Sequence, residues 1–177
     1  IATVRSFIQL ILIAYTLELV FEQDNPFFTL GILVVMVTIA GRTSSARVKE
    51  LPYASRIGVI SIGVGTILTV GILLLFGVFE FVPQDIIPIG GMVVGSAMTA
   101  ATLVMTGLHE DFYNQRLVIE TKLALGANAR EASMMQFRRA IRNAMIPMVD
   151  ATKTVGLIKL PGAMTGMILA GASPLEA

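Results

Sequence analysis

The 177-residue sequence has no cysteine, no tryptophan, a single histidine and few charges. Without cysteine it forms neither disulfides nor thiolate metal sites. Asp, Glu, Lys and Arg together make up only 14% of the chain. That is too little to cover the surface of a soluble domain of this length. No GxxxxGK[ST] phosphate loop occurs, so this chain does not bind ATP in the usual way. The one histidine, His109, stands beside Glu110 and Asp111, with no nucleophile–base pair here or elsewhere, and no catalytic site emerges. A net charge of +1 gives no reason to expect a nucleic acid partner. Neither a cleavable signal peptide nor a lipidation motif is present.

Hydrophobic residues are what the chain does have, at 55% with a mean hydropathy of +0.80. Ile57–Phe79 and Ile86–Leu108 each run 23 residues without Asp, Glu, Lys or Arg. A bilayer core of about 30 Å needs roughly 20 helical residues, so either run spans it alone. Further apolar runs cover 6–21, 26–40 and 155–172, the last interrupted by Lys159 and by Leu160-Pro161-Gly162. Asn25-Pro26 reads as a helix cap followed by proline at the first helical position. The 26–40 run is short for a span unless its flanks extend it. The pattern predicts an all-α, polytopic transmembrane helical bundle, a single domain over 1–177 with a polar region at 109–153. The chain opens on Ile1 rather than Met and closes on Ser173-Pro174-Leu175-Glu176, residues that cap and open a helix, so we expect a fragment of a longer protein.

The basic residues set a topology. Loop 41–56 carries Arg42, Arg47, Lys49 and Arg56 against Glu50. The 109–153 stretch carries Arg116, Lys122, Arg130, Arg138, Arg139, Arg142 and Lys153, whereas the loops around Glu22/Asp24 and Glu80/Asp85 have no Lys or Arg. The positive-inside rule puts 41–56 and 109–153 in the cytoplasm, and Arg5 on the same side.

Within 109–153 lies a pattern suited to a soluble helix pair. The first helix is expected to run through Phe112, Arg116, Ile119 and Leu123 and to stop at Gly126. The second opens at Asn128, with Glu131 placed to close a capping box. Its apolar positions are Met134, Phe137, Ile141, Met145 and Met148, with Arg138 and Arg142 on one face and Arg139 flanking them. Pro147 marks the helix end or a kink. Such a segment serves as an interfacial helix facing lipid phosphates, as a scaffold under the bundle, or as an elbow that docks in a cleft of a cytosolic partner.

Several residues are candidates for packing or for a transport path. Gly91, Gly95 and Thr99, and likewise Gly162, Gly166 and Ala170, repeat small residues at four-residue spacing, as close helix packing requires. Ser96 and Thr165 lie beside these stripes. Pro161 and Gly162 are expected to break the last span, which suits either a border of a transport site or a kink that fits the bundle. Ten methionines, among them Met98 and Met164 in spans, offer soft thioether ligands, and equally fill irregular apolar gaps. Glu18, inside the 6–21 run near its outer end, is the best intramembrane ionisable candidate, as an oxygen ligand or an interfacial carboxylate.

Two resemblances extend this reading. Glu131-Ala132-Ser133 and Met145-Ile146-Pro147 bracket a segment that resembles the coupling-helix signature of importer-type ABC permeases, although Phe137 stands where that signature has glycine and the spacing is shorter. More of the chain is similar to the FetB-type iron-export permease family, whose plant relatives are linked to aluminium tolerance. The strings are AGRT (40–43), GGMVVGSAMTAATL (90–103), ALGANAREA (124–132), AIRNAMIP (140–147) and LPGAMTGMILAGASPLEA (160–177). Ser96-Ala97 departs from the Asn-Ser usual in that family, which puts any path role of that asparagine in doubt here.

The resemblance implies a permease subunit of an ABC transporter in the cell inner membrane, exporting a metal ion, iron in particular. It implies a homodimer of permease subunits and a separate cytosolic ATPase that holds ATP and Mg, with no cofactor on this chain. Gly126, Arg130, Glu131, Met134, Phe137, Arg138, Arg139 and Arg142 would then be the ATPase-coupling residues. The alternatives are a secondary carrier driven by an ion gradient, with Glu18 as its coupling carboxylate, and a membrane scaffold that transports nothing.

Overall fold

A computed structural model describes residues 26–46, 48, 53–155, 162–171 and 173, and every regular element among them is a helix. These are α1 (Pro26–Ser45), α2 (Ala54–Leu75), α3 (Pro83–Asn114), α4 (Arg116–Ala124), α5 (Ala129–Thr154) and α6 (Gly162–Leu169). The apolar run 6–21 with Glu18, the expected cap Asn25, and Leu160-Pro161 lie outside the described residues. The chain is an all-α, polytopic membrane protein: α1, α2 and α3 are each long and apolar enough to cross a bilayer. It falls into two compact units, residues 1–106 and 107–177.

The first unit shows how the spans were extended by their flanks. The short 26–40 run becomes a 20-residue helix because Gly41–Ser45 continue it. Ser44 and Ser45 there are buried, and their hydroxyls donate to the Gly41 carbonyl at 3.0 Å. α2 starts earlier than the charge-free run, at Ala54, and stops earlier, at Leu75. Gly77 ends it: with φ of +66° it turns the chain so that its own N–H reaches the Leu74 carbonyl and that of Val78 reaches Leu73. This is a Schellman closure, in which glycine takes a conformation that costs other residues about 1–2 kcal/mol. Pro83 opens α3, where its missing N–H has no partner to lose.

In lipid no hydrophobic force pulls helices together, so close packing of small residues must hold them. α1 and α2 meet at Gly41 and Gly58, both buried. A methyl group added to Gly41 would lie 2.5 Å from the Val59 Cα and N, and one on Gly58 would lie 2.7 Å from the Gly41 carbonyl oxygen. Further along, Ala40, Ile62 and Val94 form a small core that brings in α3, with Met36, Val37, Ala97, Met98 and Ala101 packed around it.

The threonine hydroxyls return to their own helices. Thr38, Thr66, Thr99 and Thr102 donate to carbonyls four residues back, at 2.7–3.0 Å. This satisfies polar groups where a bilayer offers no water. α3 is 32 residues long, about 48 Å at helical rise, and so exceeds the ~30 Å apolar core.

Candidate functional site

The second unit carries the basic segment, and its local geometry follows from a few capping residues. α3 does not end at Leu108 but persists through His109, Glu110, Asp111 and Phe112 to Asn114. Phe112, expected in the next helix, therefore closes α3. Gln115 makes the break, with φ of −110° and ψ of 21°, outside the helical range. Sequence periodicity missed this break because a single non-helical residue leaves the apolar spacing almost intact.

α4 then runs nine residues, with Arg116 Nε 2.7 Å from Glu120 Oε1 on its exposed side. The Glu120 hydrogen bond, and secondarily its charge, raise the Arg116 pKa further above its ordinary value, so the guanidinium stays charged. Gly126 sits just past the end of α4 with φ of +95°. Its N–H reaches the Leu123 carbonyl and that of Ala127 reaches Lys122, both at 3.0 Å. This is a second Schellman closure. Two residues later Asn128 starts α5 with a complete capping box: Asn128 Oδ1 accepts from the Glu131 N–H at 2.9 Å, and Glu131 Oε2 accepts from the Asn128 N–H at 3.2 Å. The expected helix–Gly–helix elbow is thus present, with Glu131 occupied as a cap.

α5 buries a face built mainly of small residues. Ala132, Gln136, Ala140 and Ala144, spaced four apart, are all 2% exposed or less. Gly107, at the start of this unit's part of α3, lies against Ala140. Small residues win this face because they admit a neighbouring helix closely, and an Ala-x-x-x-Gln/Ala repeat was the available signal. The larger apolar residues turn outward instead: Phe137 is 48% exposed, and Ile141 and Met145 are similarly open, while Met134 is half-buried. Arg130, Arg138, Arg139 and Arg142 are exposed. Helical geometry sets Arg138 and Arg142 beside the Phe137–Ile141–Met145 strip, and Arg139 nearer the buried edge, where its Nε lies 4.0 Å from Asp111 Oδ2. Pro147 neither ends α5 nor interrupts it, since the helix continues to Thr154.

One buried polar contact ties the elbow to α3. Gln136 Nε2 donates to Gln115 Oε1 at 2.9 Å, joining the middle of α5 to the α3–α4 break. Gln136 is 1% exposed and its Oε1 finds no partner among the described residues. Leaving such an acceptor unpaired costs about 1–3 kcal/mol.

The remaining candidates are scattered. Gly91 is half-buried, 3.1 Å (measured to an added methyl) from the Met36 methyl, whereas Gly95 has open space around it and Ser96 and Thr99 are exposed. The close approach at this level is made by Gly90, against the Leu33 side chain. Gly162 and Gly166 are likewise open among the described residues, Met164 and Thr165 are half-buried on α6, and Pro161 lies outside. Met98 packs against the α1–α3 core. Among the described residues no three His, Asp or Glu side chains cluster as metal ligands.

Comparison with known proteins matches residues 1–177 to an uncharacterised protein family, UPF0014. The chain is 47% identical over 99% of its length to the UPF0014 membrane protein STAR2 of Oryza sativa subsp. japonica, and 45% identical over 98% to the protein ALUMINUM SENSITIVE 3 of Arabidopsis thaliana. It is 39% identical over 98% to the probable iron export permease protein FetB of Escherichia coli strain K12. It spans 62%, 63% and 67% of these three relatives. No solved structure matches.

Proposed function

This chain belongs to the UPF0014 family of membrane proteins, and from that premise we propose that it is the core of the permease subunit of an ATP-driven exporter. The observation that carries the proposal is the α4–Gly126–α5 elbow. It presents Phe137, Ile141 and Met145 beside Arg138 and Arg142 on one outward face, while its opposite face is buried. An apolar strip flanked by cations suits a protein cleft with an acidic rim, since the strip gives contact area and the charges give orientation and speed of encounter.

On this reading a cytosolic ATPase binds ATP and Mg, closes on nucleotide, and moves the elbow. α5 transmits that movement because the Gln115–Gln136 hydrogen bond ties it to the α3–α4 break, while the capping box holds its own first turn closed. The basic segment 41–56, which joins α1 to α2, and the 109–153 region face the cytoplasm, and two permease subunits pair with two ATPases in the inner membrane. The chain itself catalyses nothing. The cargo is a metal ion, iron by likeness to the probable iron export permease protein of E. coli.

The test is ATP hydrolysis by the cytosolic ATPase reconstituted with the full-length membrane protein. Arg138→Glu/Arg142→Glu is expected to abolish co-purification and membrane-dependent hydrolysis while the helical content is kept. Unchanged binding and hydrolysis would leave the arginines as a lipid-facing fringe.

A further inference from the structure

A groove on the α1–α2 pair has features of a lipid site. Between the two helices runs an apolar cavity of about 370 Å³, bordered by Leu30 and Val34 on α1, by Ile67, Gly71 and Leu74 on α2, and by Phe81. Thr38 and Val59 also line it, and these same two residues line a second cavity of about 320 Å³ that contains Arg42 and Arg56. Arg42, Ser55 and Arg56 in turn border a third, of about 420 Å³, in the α1–α2 turn. The three cavities therefore share walls in sequence, from uncharged and mainly apolar to doubly cationic. From Val59 to Leu74 the groove follows α2 for about 22 Å, more than the ~15 Å apolar depth of one leaflet.

The cationic end is organised. Tyr53 holds a left-handed conformation, φ of +64°, that is strained for a residue with a side chain, and the Arg56 guanidinium lies 5.6 Å from its ring centroid. The Ser45 hydroxyl, which borders the third cavity, is spent on the Gly41 and Arg42 carbonyls, and Arg42 and Arg56 supply the cationic donors of the two cavities.

We propose that this groove binds one anionic phospholipid, its phosphate between Arg42 and Arg56 and an acyl chain along α1 and α2. Charge selects this occupant over the alternatives. The apolar run 6–21 has Glu18 as its only acid, at its outer end, while its inner flank carries Arg5, a like charge for Arg42 and Arg56. A second copy of this surface would bring the same two arginines. A zwitterionic lipid fills the apolar part equally well but lacks the net charge.

The experiment is native mass spectrometry of the full-length protein in neutral detergent, titrated with dioleoyl phosphatidylglycerol or dioleoyl phosphatidylcholine, and with inorganic phosphate as competitor. Wild type is expected to prefer phosphatidylglycerol by about thirtyfold, the factor two arginines near an anionic headgroup supply. Arg42→Gln/Arg56→Gln is expected to lose that preference. Gly71 lines the groove and has open space where a side chain would begin, so Gly71→Leu is expected to occupy part of the groove and to weaken both lipids. Lys153→Gln, in the other unit, is expected to change neither. Equal binding of the two lipids by wild type would overturn the proposal. So would a preference that survives in both groove variants, or displacement of the lipid by millimolar phosphate with Gly71→Leu silent, which would make it a small-anion site.

Discussion

Replacing Asn128 by alanine removes one hydrogen bond of the α5 capping box and nothing else within reach. The acceptor lost is Asn128 Oδ1, 2.9 Å from the Glu131 N–H; the reciprocal bond from the Asn128 N–H to Glu131 Oε2 uses backbone and survives. The site is exposed, so water replaces part of the loss, and the cost is that of an ordinary N-cap, about 1 kcal/mol. At room temperature that raises the population of the frayed first turn about fivefold. Hydrogen exchange of the purified full-length protein reads this directly, because amides in the first turn exchange through local opening. The Glu131 amide is expected to exchange about fivefold faster, Ala132 and Ser133 slightly faster, and the α1–α3 spans at their original rates. Asn128→Asp keeps the acceptor and adds a negative charge at the helix N-terminus, so it is expected to restore slow exchange. Unchanged exchange at Glu131 in Asn128→Ala would refute the capping argument. Acceleration spreading into α1–α3 would refute the view that the cap acts locally.

Other substitutions test other joints. Gly126→Ala forces alanine to φ of +95° and is expected to destabilise the elbow by about 1–2 kcal/mol, seen as faster exchange in the last turn of α4. Gln136→Leu removes both a buried hydrogen bond and an unpaired oxygen, so stability should change by less than about 1 kcal/mol, while exchange at Gln115–Ile119 should rise as the α3–α4 break loses its tie. Gly41→Ala must push α1 off Val59 and is expected to cost about 1–3 kcal/mol, lowering the thermal midpoint, whereas Gly31→Ala, with open space, should be tolerated.

The three spans among the described residues, the elbow and its caps were legible in the sequence because each rests on local chemistry. Charge-free runs mark α2 and α3, Gly126 marks a turn that needs positive φ, and Asn128 with Glu131 marks a helix start. What was not legible depended on neighbours. Of the GxxxG stripes, Gly91 approaches the Met36 methyl at 3.1 Å, yet the tighter approaches among the described residues occur at Gly41, Gly58 and Gly90, outside that spacing and against another helix. Likewise the Met134–Phe137–Ile141 periodicity marked a helix but not its buried face, which Ala132, Gln136, Ala140 and Ala144 form. The α3–α4 break at Gln115 carries no proline or glycine to announce it. Its signal is a hydrogen bond to a residue 21 positions away, which no local reading finds.

The central claim, that the α5 face receives the ATPase, is tested most directly by cross-linking. These 177 residues contain no cysteine, so Phe137→Cys introduces a unique thiol among them at the middle of the proposed contact. Treated with a short thiol–amine cross-linker in membranes that contain the ATPase, Phe137→Cys is expected to give a covalent adduct with it. Gly31→Cys, within a membrane span, is expected to give none. An adduct only from position 31, or from neither position while the ATPase still co-purifies, would contradict the assignment and place the docking surface elsewhere.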